Sequence, residues 1–175
     1  MKFTVNAPGA TRQRTACAIV GIYADGILSD TAKALDKASG GLLSDVTRNR
    51  DIRGEAGETL LLTHTGKLPC KRILLVGLGK SGKLEQRGYR KAIRAAYSAL
   101  GKAGHADLSN FLGLEPVSDA DAYRKARIAV ELWHETSYRF TAMKSAPAAK
   151  PSRLKSIGLA CATADRKQTL LAVKQ

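Results

Sequence analysis

A chain of 175 residues, 44% hydrophobic and 25% charged, has a globular composition and room for one domain with a core of its own. No apolar run nears the roughly 18 residues a membrane helix needs, and the opening MKFTVNAPGATRQR has no apolar signal segment, so neither spanning nor secretion is expected. The 29 Lys and Arg against 15 Asp and Glu leave a net charge of +14, a field that attracts polyanions without saying which.

In chain order, KFTVN (2–6) alternates and predicts a short strand. TACAIVGIY (15–23) is apolar nearly throughout, the mark of a strand buried on both faces. Asp25-Gly26 is a turn, and Ser29 caps a helix carrying Leu35, Ala38, Leu42 and Val46, which Gly40-Gly41 weakens or bends. A strand begins at Thr59 and another covers KRILLVGL. Only TGKLP separates them, too little for a helical crossover, so this pair is expected to be antiparallel.

LEQRGYRKAIRAAYSALGKAG predicts a helix with Tyr89, Ile93, Ala96, Tyr97 and Leu100 on one stripe, stopped by Gly101 and Gly104. DLSNFLGL (107–114) reads as a strand. A further helix is expected from Ser118 to about Ser137, with Ala126, Ala129, Val130 and Trp133 inward. SAPAAKPSR (145–153) reads as a loop, RLKSIGLACA as a last strand, and TADRKQTLLAVKQ as the start of another element. The order β-β-α-β-β-α-β-α-β predicts an α/β fold, a mixed and mostly parallel sheet with helices on both faces.

RILLVGLGKSGK (72–83) spells G-x-G-x-x-G after a strand and nearly a P-loop, but Leu84 stands where a magnesium-binding Ser or Thr belongs. Gly88 delays or frays the following helix. Asp107 falls at the start of the next strand, the wrong end to meet a ribose, and Glu115 is too far along. The stretch is therefore read as a tight glycine exit from a buried strand, with Lys80 and Lys83 in water. No metal spacing joins His64, His105 and His134, and no nucleophile motif is present. Cys17, Cys70 and Cys161 lie far apart among apolar residues and read as reduced, mostly buried thiols of a cytoplasmic protein.

RTACAIVGIY, LDKASGG, GEAGETLLLTH, KRILLVGLGK, YRKAIRAAYSAL and HETSYRFTAMK, in that order, resemble the N-terminal domain of bacterial leucyl aminopeptidases of the cytosol aminopeptidase A type. The likeness spans residues 1–162 and implies a macro-like α/β domain. Residues 163–175 would then begin the connector to a missing catalytic domain. The resemblance further implies a metalloexopeptidase that forms a homo-hexamer and holds two divalent ions, zinc or manganese, in that other domain. Its signature N-T-D-A-E-G-R-L does not occur here, so no catalytic or metal residue is assigned to this chain. The expected role is assembly and regulation.

The alternative is a DNA-binding module, since some bacterial relatives also act as DNA-binding regulators. From Lys67 to Arg94 there are nine basic residues and one acid, Glu85. Lys71, Arg72, Lys80, Lys83, Arg87, Arg90, Lys91 and Arg94 are the candidate DNA-binding residues, the last four on one helix face.

Overall fold

The computed structural model describes residues 1–6, 9–101, 105–142 and 154–174, and side chains through 137 in the long helix that ends at 142. The expected loop at 145–153 and the helix stop at Gly104 lie outside the described residues. Among the described residues seven strands form one sheet: β1 (Lys2–Asn6), β2 (Cys17–Tyr23), β3 (Ile27–Leu28), β4 (Thr59–Leu62), β5 (Ile73–Gly77), β6 (Asp107–Asn110) and β7 (Ser156–Ala160). The spatial order is β1-β7-β6-β2-β5-β4. The first five of these run parallel, β4 pairs antiparallel with β5, and β3 folds back on β2. The mixed, mostly parallel sheet is as expected; β3 is an addition, too short for any periodicity to show.

Strand alternation sorts side chains between two cores. On β2, Cys17, Ile19 and Tyr23 face one layer, while Ala18, Val20 and Ile22 face the other. The first layer holds α3 (Gln86–Leu100), α4 (Ala122–Ala142) and α5 (Arg166–Lys174). Tyr89, Ile93, Ala96, Tyr97 and Leu100 of α3 are buried as the stripe predicts, and the Tyr97 ring meets Trp133 edge-on at 5.4 Å. Flanked by α3 and α5, α4 also buries Ile128 and Leu132, which a one-sided stripe does not include.

The opposite layer holds α1 (Asp30–Ser39) and α2 (Leu42–Arg48). The Ser29 hydroxyl accepts the Ala32 N–H at 3.3 Å, the expected cap. Gly40 and Gly41 do more than bend the helix: at φ 79° and 96° they end it and start a second one. The Asp36 carboxylate accepts the amides of Leu43 and Ser44 at 2.8 and 2.9 Å, so the first helix caps the next. This restart shifts the phase, burying Leu43 rather than Leu42 and leaving Ala38 exposed.

Two other boundaries move for polar reasons. The Asn110 side chain accepts the Leu112 N–H at 3.0 Å, turning the chain after four residues of β6. Asp119 reaches away to the Gln86 amide of α3 at 2.5 Å, so α4 starts later, with Asp121 accepting the Arg124 N–H at 2.7 Å.

Candidate functional site

Parallel strands end together, and in open α/β sheets that carboxyl edge is the usual ligand position. Here the exits of β2 and β5 on that edge are closed by backbone. The Gly77 amide donates to Glu58 O at 2.8 Å, Leu78 to Ile22 O at 2.8 Å, and Gly79 to Gly54 O at 2.9 Å. In return Gly77 O accepts from Gly57 at 2.9 Å and Gly79 O accepts from Ala24 at 2.8 Å. The amides of Gly77, Leu78 and Gly79 are thus engaged in an interlock of three segments: the exit of β2, the 54–58 loop and the exit of β5.

The glycines serve close approach. A Cβ on Gly77 would sit 1.9 Å from Glu55 O, and one on Gly54, at φ 81°, would sit 2.0 Å from Tyr23 O. The N-terminus of α3 lies four residues past Gly82 and already holds the Asp119 carboxylate. Asp107 lies at the far end of its strand, where it accepts the Ala16 N–H at 3.1 Å. The reading of a structural glycine exit therefore rests on named hydrogen bonds.

Beside this closed edge is a polar pair that sequence patterns did not reveal. The Tyr23 hydroxyl donates to the Glu115 carboxylate at 2.8 Å, and both side chains are buried. Burial holds the Glu115 carboxyl above its usual range, with Tyr23 and Ser29 pulling the other way. Lys125 donates to Glu115 O at 3.0 Å, and burial lowers its ammonium below the ordinary lysine value. The two members lie 92 residues apart, so no motif joins them.

The thiols are poor nucleophiles. Burial pushes Cys17 up to about 12 and raises Cys70, far from thiolate chemistry at neutral pH. Cys161 is buried as well. His64 and His134 are exposed, while His105 is buried. Arg72 Nη1 lies 3.1 Å from His105 Nδ1; a guanidinium can only donate, so the imidazole is neutral with its proton on Nε2. Among the described residues no three His, Cys, Asp or Glu side chains gather as a metal site.

The eight sequence-predicted cations do not form one surface. Lys71 and Arg72 precede β5, and Lys80 and Lys83 follow it, so the length of a strand separates the pairs. On α3, Arg90 pairs with Glu131 at 3.5 Å and Arg94 with Glu135 at 3.0 Å, both on α4. The Lys91 stem packs over Gly57, where an added Cβ would meet its Cε at 2.9 Å. Arg87 is exposed.

The architecture defines a class: a macrodomain-like α/β domain. Solved structures agree. A Trypanosoma brucei macrodomain in complex with ADP aligns over 98% of this chain and 69% of its own, with a TM-score of 0.72 at 16% identity. A tomato leucine aminopeptidase mutant aligns over 98% of this chain and 35% of its own, with a TM-score of 0.67 at 18% identity. At these identities the likeness is one of fold. Sequence narrows the class. Residues 19–147 match the N-terminal domain of the cytosol aminopeptidase family, and the chain belongs to that family.

A probable cytosol aminopeptidase of Methylobacillus flagellatus is 42% identical over 149 residues, which are 85% of this chain and 30% of that protein. One from Nitrosospira multiformis is 38% identical over 160 residues, 91% of this chain and 31% of its own length. The chain thus spans under a third of the relatives it matches.

Proposed function

We propose that this chain is the non-catalytic N-terminal domain of a cytoplasmic, metal-dependent aminopeptidase that removes N-terminal residues from peptides. Its role is to assemble the parent enzyme, a homo-hexamer, and to shape access to the catalytic centre. The observation that carries this reading is the extent of the likeness: the family's N-terminal domain covers residues 19–147, while most of each relative lies beyond the match.

On this reading two divalent ions, zinc or manganese, supply the Lewis acid and the activated water, held by the catalytic domain. No grouping of ligands among the described residues fits them here, so no step passes through this domain. Apolar surface supports a docking role: Leu170 and Leu171 of α5 are 37% and 58% exposed, and a further domain or subunit would cover them. No helix among the described residues is long and apolar enough to cross a membrane.

The test assays leucine p-nitroanilide with manganese or zinc. The purified chain is expected to give no chelator-sensitive turnover. The full-length parent is expected to hydrolyse the substrate and to have a hexamer's mass by light scattering. Turnover by the chain alone, or an inert or monomeric parent, would overturn the proposal.

A further inference from the structure

We propose that β4, at one border of the sheet, pairs antiparallel with β4 of a second copy of this chain, joining two sheets across a two-fold axis. This deepens the assembly role and rests on that reading, naming a surface through which two copies meet. β4 ends the spatial order, and among the described residues no strand lies on its outer side. Natural border strands are commonly guarded by charge, proline or a covering element. Thr59-Leu60-Leu61-Leu62 has neither charge nor proline, and all four residues are half-buried.

The direction of its free backbone groups follows from the ladder with β5. The Gly77 amide donates to Glu58 O at 2.8 Å, so Glu58 and Gly77 face each other as a bonded pair. The register then makes Leu60–Leu75 and Leu62–Ile73 the next bonded pairs, because such pairs alternate along an antiparallel ladder. Thr59, Leu61 and Thr63 accordingly turn their N–H and C=O groups outward, away from β5. The leucine side chains hold the strand from both faces: Leu61 packs against the core of α3, and Leu60 and Leu62 against the core of α1 and α2.

The sequence of the strand selects a second copy as the occupant. Residues 59–63 read T-L-L-L-T, a palindrome about Leu61. A two-fold interface sets residue i against j and j against i. Centred on Leu61, it sets Leu61 opposite Leu61, Thr59 opposite Thr63 and Leu60 opposite Leu62 of the second copy. Outward groups then meet outward groups, giving about six backbone hydrogen bonds across the axis. Each leucine meets another leucine on the same face of the joined sheet.

Charge agrees with this register. It brings the Glu55–Glu58 end of one copy against the His64–Lys67 end of the other. No Lys or Arg occurs between Arg53 and Lys67, so two chains of net charge +14 approach here with little local repulsion. A border contact of this length is small beside a permanent dimer interface. The chain alone should therefore dimerise weakly, and several such contacts in a larger assembly would act together.

The experiment follows the mass of the full chain by sedimentation velocity over a range of concentrations, with a reversible dimer as the expected result. Thr59→Glu/Thr63→Glu places like charges opposite one another twice and should weaken the dimer at least tenfold. Thr59→Glu/Thr63→Lys changes the same positions but places opposite charges together, and should stay within threefold of the unmodified chain. Melting temperatures of the two variants, taken at concentrations where both are monomers, control for folding. A second measurement does not depend on these charges. Thr59→Cys and Thr63→Cys, mixed and oxidised, should form a disulfide-linked heterodimer, since a bonded pair holds its Cα atoms about 5.5 Å apart. Each alone should not, because identical residues then lie four positions out of step, roughly 14 Å apart. A chain that stays monomeric, equal cross-linking in the mixture and in the single variants, or a dimer that survives Thr59→Glu/Thr63→Glu and is lost in Leu170→Ser/Leu171→Ser would overturn the proposal. A full-length parent that keeps its hexamer mass alongside any of these results leaves the assembly reading standing, whereas a monomeric parent overturns both.

Discussion

The two edges of the sheet are built from the same strands and have opposite characters. At the carboxyl edge, Gly54, Gly77 and Gly79 bring three backbone segments within hydrogen-bond distance and engage the amides of Gly77, Leu78 and Gly79. At the amino edge, the segments preceding the strands are also bonded to one another, but their side chains are long, basic and exposed. A glycine-rich loop is thus no phosphate site when its donors already have acceptors. Charge, conversely, is free to act only where no neighbouring helix supplies a carboxylate.

The largest expected effects test the closed edge. Gly54→Ala and Gly77→Ala each force a Cβ to about 2 Å from a backbone oxygen. Each should cost roughly 3–5 kcal/mol in chemical denaturation, in the range that marks a specific steric fault. Gly82→Ala has a positive φ of 72° but nothing within 4 Å of the added methyl. It should cost only about 1 kcal/mol, the left-handed backbone penalty. Similar losses at all three positions would remove the interlock argument.

Tyr23→Phe takes the buried hydroxyl from Glu115, and the carboxylate loses a donor it cannot replace from water. The expected loss is about 1–3 kcal/mol by the same measurement. A neutral outcome would show that the pair is incidental to the closed edge.

Proton linkage separates the two edges by sign. Burial raises Glu115, so the fold holds its proton to a higher pH than the unfolded chain does. That contribution is fully present below the ordinary carboxylate range and is lost as pH rises through the folded value. His105, near the amino edge, is lowered first by burial and then by Arg72, with Asp107 opposing. Its contribution is present above the ordinary histidine range and is lost as pH falls toward the folded value. Denaturation midpoints should therefore drop less as pH rises above the ordinary carboxylate range in Glu115→Gln, and drop less as pH falls below the ordinary histidine range in His105→Gln. The reverse assignment would contradict the burial argument.

The smallest effect belongs to α3. Arg94 and Glu135 are each partly exposed across their 3.0 Å pair, so Arg94→Ala should cost less than about 1 kcal/mol and fade with added salt.

Much of the fold was legible because its signals are short-range. The short TGKLP link between the two predicted strands leaves no room for a helical crossover, the apolar run of β2 needs cover on both faces, and the α3 stripe needs one buried side. The failures were also local in appearance but distant in cause. The start expected at Ser118 moved because Asp119 was drawn to α3, 33 residues away. The Gly40-Gly41 restart turned the helix phase, which no single stripe could anticipate.

The sequence by itself determined the alternation of strands and helices, the family, and the excess of positive charge. Periodicity, turn residues and composition act through neighbours along the chain, and these are present in any linear reading. Only the tertiary structure decided which charges remain free and which polar groups meet. Arg90 and Arg94 find their carboxylates 41 residues onward, and Tyr23 finds Glu115 92 residues onward. Lys2, Lys155, Arg14 and Lys71 come from four distant segments and share one edge because parallel strands start side by side. Coulomb energy and hydrogen bonding depend on separation in space, and that separation is created by the sheet.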